Sequence, residues 1–237
     1  MATKKTTDNT ETVISITAPK ISKLTAHIVA ESDLILCAKA RSYEREEIFK
    51  QSHPKGTKIP AEYQQPYCLW EKLITSIHWL NPITYHDDDY SKYTEEEWRE
   101  YMTNNKPCIL AKAFQESMKE AFISCGFKES TGKAGSDFRR TISFKAITPI
   151  EFTSAGYDQH LAQTSGMSRT NVLTQQNVFT GWSADVEINF LETAFPAATV
   201  LDLLNFAGKF IGIGARRGEG YGRYHVDGDV RIENVSG

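Results

Sequence analysis

The sequence predicts an α+β fold, an antiparallel sheet with helices packed on one of its faces. Three observations predict it. Apolar residues alternate early, in LTAHIVAESDLILCAKA (24–40), and again in VFTGWSADVEINFLE (178–192), as half-buried strands require. ILAKAFQESMKEAFI (109–123) and PAATVLDLLNFAG (196–208) repeat with helical spacing instead. Strand-like segments flank both helices, in the order strand, helices, strand, strand, helix, strand.

Each element follows from its residues. Residues 1–20 are largely polar and predict a flexible tail. Leu24, Ala26, Ile28 and Ala30 alternate, and the apolar run Leu34–Cys37 follows, which fits a bent strand or a strand pair. RSYEREEIFKQSHPKGTKIPAEYQQP is polar and Pro-bearing, a long loop with a short helix. In YCLWEKLITSIHWL (67–80), Leu69, Leu73, Ile77 and Leu80 share a helical face, and Asn81-Pro82 stops the run. Thr94 is an N-cap for SKYTEEEWREYM, with Glu95, Glu96 and Glu97 at the positive end of the helix. The helix 109–123 turns Phe114, Met118, Ala121 and Phe122 inward, and Gly126 lies just past its end.

FKESTGKAGSDFRR reads as a glycine-containing loop, TISFKAITPIEF as β-rich, and 153–176 as polar without a clear period. Pro196 opens the last helix and Gly208 sits near its end, before the closing strand YGRYHVDGDVRIENV. The order is βαββαβ, a ferredoxin-like or RRM-like antiparallel sheet. Residues 21–237 then form a single domain, with insertions at about 41–108 and 150–177.

Composition excludes several function classes. Hydrophobic residues at 40% support a sizeable core and argue against a disordered chain. No apolar run approaches the roughly 20 residues that span a bilayer, and no apolar signal core opens the chain, so a cytoplasmic protein without a membrane partner is expected. Cys37, Cys68, Cys108 and Cys125 form no CxxC pair, which favours reduced thiols over a zinc site or disulfide framework. The net charge is -3, but residues 84–102 alone carry -5, leaving about +2 elsewhere. Any nucleic-acid role must therefore rest on local patches.

One such patch is GIGARRGEGYGRYHV (212–226), with five glycines, three arginines and two tyrosines. It contains no GK[ST], and it follows a helix and precedes a strand, so it is neither a Walker loop nor a dinucleotide fingerprint. Its residues suit backbone lying close to phosphates, with Arg216, Arg217 and Arg223 as cations and Tyr221 and Tyr224 as stacking surfaces. A long turn with exposed arginines is the structural alternative.

LLNFAGKFIGIGARRGEGYGRYHV resembles the C-terminal glycine-rich loop of the RAMP superfamily, the ferredoxin-like backbone proteins of CRISPR effector complexes. Ile211-Gly212-Ile213-Gly214, Arg216-Arg217 and Tyr221-Gly222-Arg223-Tyr224 match in order. The chain is more similar still to RAMP-like proteins of bacteriophages, in which W-S-x-x and a strand precede the helix, as Trp182-Ser183-Ala184 and Asp185–Phe190 do here. Lys106-Pro107-Cys108 is a looser counterpart of the family's helix start. The clear match covers about 180–226, roughly a fifth of the chain.

The resemblance implies a nucleic-acid-binding set: Gly212, Gly214, Arg216, Arg217, Gly220, Tyr221, Gly222 and Arg223, joined by Lys39, Arg41, Arg139, Arg140 and Arg169. It also implies that 150–177, with Met167 and Arg169 near its tip, is a thumb that crosses the strand and touches the next subunit. No cofactor and no metal is expected, since a solvated acidic loop explains His86-Asp87-Asp88-Asp89 better than a cation site does. RNA-cutting members use a histidine general base. His27, His53, His78, His86, His160 and His225 form no recognisable catalytic set, so no catalytic residue is assigned.

The favoured expectation is a non-enzymatic, phage-type, RAMP-like protein in the bacterial host cytoplasm. It binds single-stranded RNA or DNA through backbone contacts as a homo-oligomer. One alternative is an interaction protein that mimics or inhibits a host CRISPR or defence complex through its acidic segment 84–102. The other is a metal-independent RNA endonuclease.

Overall fold

A computed structural model describes residues 20–60, 63, 68–86, 92–126, 136–163 and 171–235. Residues 1–19 of the expected tail, Asp87–Asp89, residues 127–135, Met167 and Arg169 lie outside these. The architecture is α+β, and every strand pairing among the described residues is antiparallel. Strand β1 (Ile21–Ala30) is central, between β10 (Tyr224–Asn234) and β9 (Ser183–Leu191). Next to β9 lie β5 (Ile142–Phe144) and β6 (Ile147–Glu151). The order fourth, first, third, second is that of a ferredoxin-like sheet.

Alternation decides which face is covered. Leu24, Ala26 and Ile28 of β1 and Ala184, Val186, Ile188 and Phe190 of β9 are buried on one face. Two helices supply the opposing layer: α4 (Ala111–Ser124) with Phe114, Met118, Ala121 and Phe122, and α6 (Ala197–Phe206) with Val200, Leu203 and Leu204. These inward residues of α4 are the ones its periodicity predicts. The opposite sheet face carries Lys23, Thr25 and His27, with ion pairs Lys23–Glu233 and Lys145–Glu187.

The sheet is larger than the expected four strands. β4 (Pro107–Leu110) pairs with β6, and β3 (His78–Trp79) pairs with β4. The helix read at 67–80 is in fact α2 (Leu69–Thr75) followed by that short strand. A tertiary and a local bond mark the break in the helical run: the Ala38 N–H donates to the Ser76 carbonyl at 2.8 Å, and Trp79 Nε1 donates back to the Ile74 carbonyl, five residues earlier, at 2.9 Å. α3 (Glu95–Asn104) starts at Thr94, whose hydroxyl accepts from the Glu97 N–H, as expected. α1 (Arg41–Ser52) is a twelve-residue helix where a loop with a short helix was expected, reinforced by Arg41–Glu44 and Lys50–Glu46 pairs.

A second sheet holds β2 (Leu34–Leu36), β8 (Asn171–Thr180) and β7 (Ser154–Gln163), in the order β2-β8-β7. The segment 153–176, expected as an irregular excursion, therefore forms most of a long hairpin. Its alternation pits polar against polar (Tyr157, Gln159 against Asp158, His160), so no hydrophobic period marks it. The strand expected across 178–192 is two strands in different sheets, broken at Gly181-Trp182. At the hairpin base, Asn177 is buried, accepts from Trp98 Nε1 at 2.9 Å and donates to the Leu73 carbonyl at 2.9 Å. That amide ties the hairpin to α2 and α3. The remaining α-helix, α5 (Ser136–Thr141), leads into β5.

Candidate nucleic-acid interface

α6 does not end in a regular cap. It widens into a π turn over Ala207–Ile211, where the Gly212 N–H donates to the Ala207 carbonyl at 2.7 Å. The chain then crosses between α4 and the β1–β2 connection. Ile213 is buried, and its N–H donates to the Gly222 carbonyl at 3.0 Å. The N–H groups of Gly222 and Ala215 donate to the Asp33 and Ile35 carbonyls, and Ser117 Oγ of α4 donates to the Gly212 carbonyl at 2.7 Å. Ser32 completes the stitching: its hydroxyl donates to the Gly220 carbonyl and accepts from the Arg223 N–H.

This stitching explains the glycines. Gly214 has φ +80°, and a Cβ there would stand 2.5 Å from the Ile35 carbonyl oxygen. Gly222 has φ +71°, and its Cβ would collide with the Ile213 carbonyl oxygen. A Cβ at Gly212 would stand 2.7 Å from the Tyr221 carbonyl oxygen, so these three glycines meet the chain's own backbone. Gly218 and Gly220 instead have open space around them. The final strand was expected from 221 but starts at Tyr224, because Gly222 is still turning.

Arg216 is the non-glycine residue with positive φ among those described, at +56°. Three contacts hold it there. Its Nε donates to Glu219 Oε2 at 3.0 Å, its Nη1 donates to Asp158 Oδ2 at 2.7 Å, and its guanidinium lies 4.9 Å from the Tyr221 ring centroid. The hydrogen bond from Arg216 holds the Glu219 carboxyl below its usual range, and the same bond holds the guanidinium above its own. His160 Nδ1 shares Asp158 Oδ2 at 2.6 Å, so the hairpin reaches the loop through one carboxylate.

The other expected residues divide. Arg217 Nη1 lies 3.4 Å from Glu120, and Arg139 pairs with Glu116. Glu116 and Glu120 are one helical turn apart, so one face of α4 brings Arg139 and Arg217 together. Arg223 Nη2 donates to the Arg217 carbonyl at 3.3 Å, while its buried Nη1 has no hydrogen-bond partner among the described residues. Arg140 is not brought to this site; it lines a separate cleft with Ile21 and Val235. Lys39 is exposed beyond β2, and Arg41 pairs with Glu44 and stacks 4.7 Å from the Tyr85 ring centroid. Of the expected binding set, Arg41, Arg139, Arg216 and Arg217 are thus paired with carboxylates of this chain. Asp158 and Glu120 were missed because only the fold sets them beside the arginines, whereas Glu219, three residues from Arg216, was a local signal that the sequence carried.

Histidine chemistry does not gather. His27 pairs with Asp185, His86 with Glu97 and His225 with Glu31, each at a different place. Among the described residues no three His, Cys, Asp or Glu side chains are grouped to hold a metal ion. No described helix is long and apolar enough to cross a membrane.

No protein-family model matches the chain, and no curated protein matches it. Among solved structures it is similar to a chain in the cryo-EM structure of the Type III-B Cmr-beta bound to cognate target RNA. The two are 10% identical, with a TM-score of 0.46, over 92% of this chain and 62% of that chain. This chain thus spans less than two thirds of the length of the one it resembles.

Proposed function

We propose that this is a RAMP-like, non-catalytic protein, of the kind bacteriophages encode, that binds single-stranded nucleic acid through its backbone. The observation that carries this reading is the convergence of Arg216, Arg217, Arg223 and Tyr221 on one loop braced by α4 and facing the hairpin. A backbone fixed by this many hydrogen bonds presents its cations with little ordering cost on binding. The sequence resemblance across 180–226 supports the same reading. The hairpin β7–β8 takes the place of the thumb, and assembly of several copies along one strand in the bacterial host cytoplasm belongs to this proposal.

Titrating labelled single-stranded RNA and DNA into the full chain, with anisotropy read at several salt concentrations, tests it. Binding should weaken steeply with salt. The Arg216→Ala, Arg217→Ala double variant should bind more weakly, with a log–log slope shallower by roughly 0.7 per lost contact. Equal affinity and slope in the double variant would remove the loop from the interface.

A second reading has its own observation. Glu96 and Glu100 of α3 are exposed, and the loop's Arg216 and Arg217 are already paired with carboxylates. A protein that presents acids and sequesters cations suits a mimic of nucleic acid that engages or inhibits a host defence complex. Binding to a basic partner surface without affinity for RNA or DNA would favour it.

A further inference from the structure

Beside the glycine loop lies an open groove of about 350 Å³ that no expected site residue except Gly214 touches. Gly214 and Ala215 line it from the loop and Cys37 from beyond β2, while His78, Cys108 and Lys112 are among the residues that β3, β4 and α4 contribute. Its size falls at the low end of the roughly 300–1,000 Å³ typical of small-ligand clefts. The lining is mostly apolar, with few polar groups at its rim. His78 and Cys108 are direct cross-strand partners on β3 and β4, which places the exposed imidazole over a buried thiol. Lys112 stands in the first turn of α4.

Two halves of a ligand follow from these walls. An apolar slot edged by an imidazole suits a flat ring, and the lysine at its mouth suits an attached anion. A free inorganic anion would leave the apolar floor unused, and an aliphatic molecule would leave Lys112 unused. The slot is also continuous with the loop, since Gly214 and Ala215 belong to both.

The geometry points to a seat for one nucleobase of the strand that follows the glycine loop, with its phosphate toward Lys112. This inference rests on the nucleic-acid reading above and deepens it. It makes binding depend on a base as well as on the backbone.

Cysteine alkylation on the wild-type chain reads the groove directly. Cys37 is exposed in the groove, and Cys125 is exposed at the opposite end of α4, where it serves as an internal control. Iodoacetamide labelling is followed site by site by mass spectrometry, with a saturating single-stranded oligonucleotide or the same length made of abasic sugar phosphate. The base-bearing strand should slow Cys37 labelling at least about fivefold and leave Cys125 unchanged. The abasic strand should bind about 5- to 100-fold more weakly and, at saturation, leave Cys37 labelling as in the free protein. Filling the groove with Ala113→Phe should abolish the difference in affinity between the two strands while keeping the salt dependence.

Saturated binding without protection of Cys37, or equal protection by the abasic strand, would overturn the inference and leave backbone binding intact. Failure of both strands to bind would overturn the nucleic-acid reading and this seat with it.

Discussion

At the scale of single residues, Arg216 shows how a loop cation is held. A positive φ outside glycine costs on the order of 1–3 kcal/mol, and here a carboxylate fork and an aromatic face hold the residue in place. Asp158 and Glu219 occupy the N–H edges that a phosphate would use. The Asp158→Asn, Glu219→Gln double variant should therefore bind a single strand more tightly than wild type, with a steeper salt slope, in the same anisotropy titration. Weaker or unchanged binding would mean that Arg216 serves only to tie the hairpin to the loop. Because pairing lowers the pKa of Glu219, its contribution to stability is full above the ordinary carboxylate value and is lost as pH falls through the lowered one.

Tyr224 is the second residue with a measurable signature. Its ring packs against Trp182 and Phe114 in the core, its hydroxyl lacks a hydrogen-bond partner among the described residues, and burial raises its pKa. The folded state then keeps its proton where the unfolded chain releases it, near the ordinary phenol value of about 10, so stability declines as pH rises past that point. Tyr224→Phe should be at least as stable as wild type at neutral pH and should lose less stability between pH 9 and 11, read by thermal melting.

At the scale of elements, the glycine loop and the hairpin are braced by different means. The loop depends on close backbone approach. Gly222→Ala should cost at least roughly 1–3 kcal/mol from backbone strain alone, because its Cβ also meets the Ile213 carbonyl. Gly218→Ala, in open space at an ordinary φ, should change stability by less than about 0.5 kcal/mol. Chemical denaturation of the pair separates packing from mere loop flexibility. The hairpin depends on a buried amide, so Trp98→Phe should cost about 1–3 kcal/mol by leaving the Asn177 carbonyl oxygen without its donor.

At the scale of the whole molecule, the open sheet face and the hairpin strands are different kinds of surface. Among the described residues the sheet face is laced with ion pairs and presents no Phe, Tyr or Trp ring of the kind that stacks bases in RRM-type sheets, which favours the loop side of the molecule for the proposed strand. The hairpin carries Leu161 and Leu173 as exposed cross-strand partners, and β7 forms a sheet edge. If copies assemble along a strand, Leu161→Asp should lower the mass of the complex on a long oligonucleotide, measured by light scattering, while affinity for a short one persists. Equal masses would place the contact between copies elsewhere.

The amino-acid sequence by itself determined the parts whose physics is local. Alternation in β1 and β9, periodicity in α4 and α6, the Thr94 cap and the positive-φ glycines each arise within a few residues, so the βαββαβ core and its glycine loop were readable. Tertiary structure decided the rest. The hairpin β7–β8 has polar residues on both faces, so only backbone pairing, not hydrophobic period, defines it. His78 and Trp79 left a helical pattern because β4 offered partners. Asp158 and Glu120 lie far along the chain from the arginines they hold, Arg216 and Arg217, and in different elements. Charge pairing across that separation has no signature in sequence, because it exists only once the fold has brought the groups within a few ångströms.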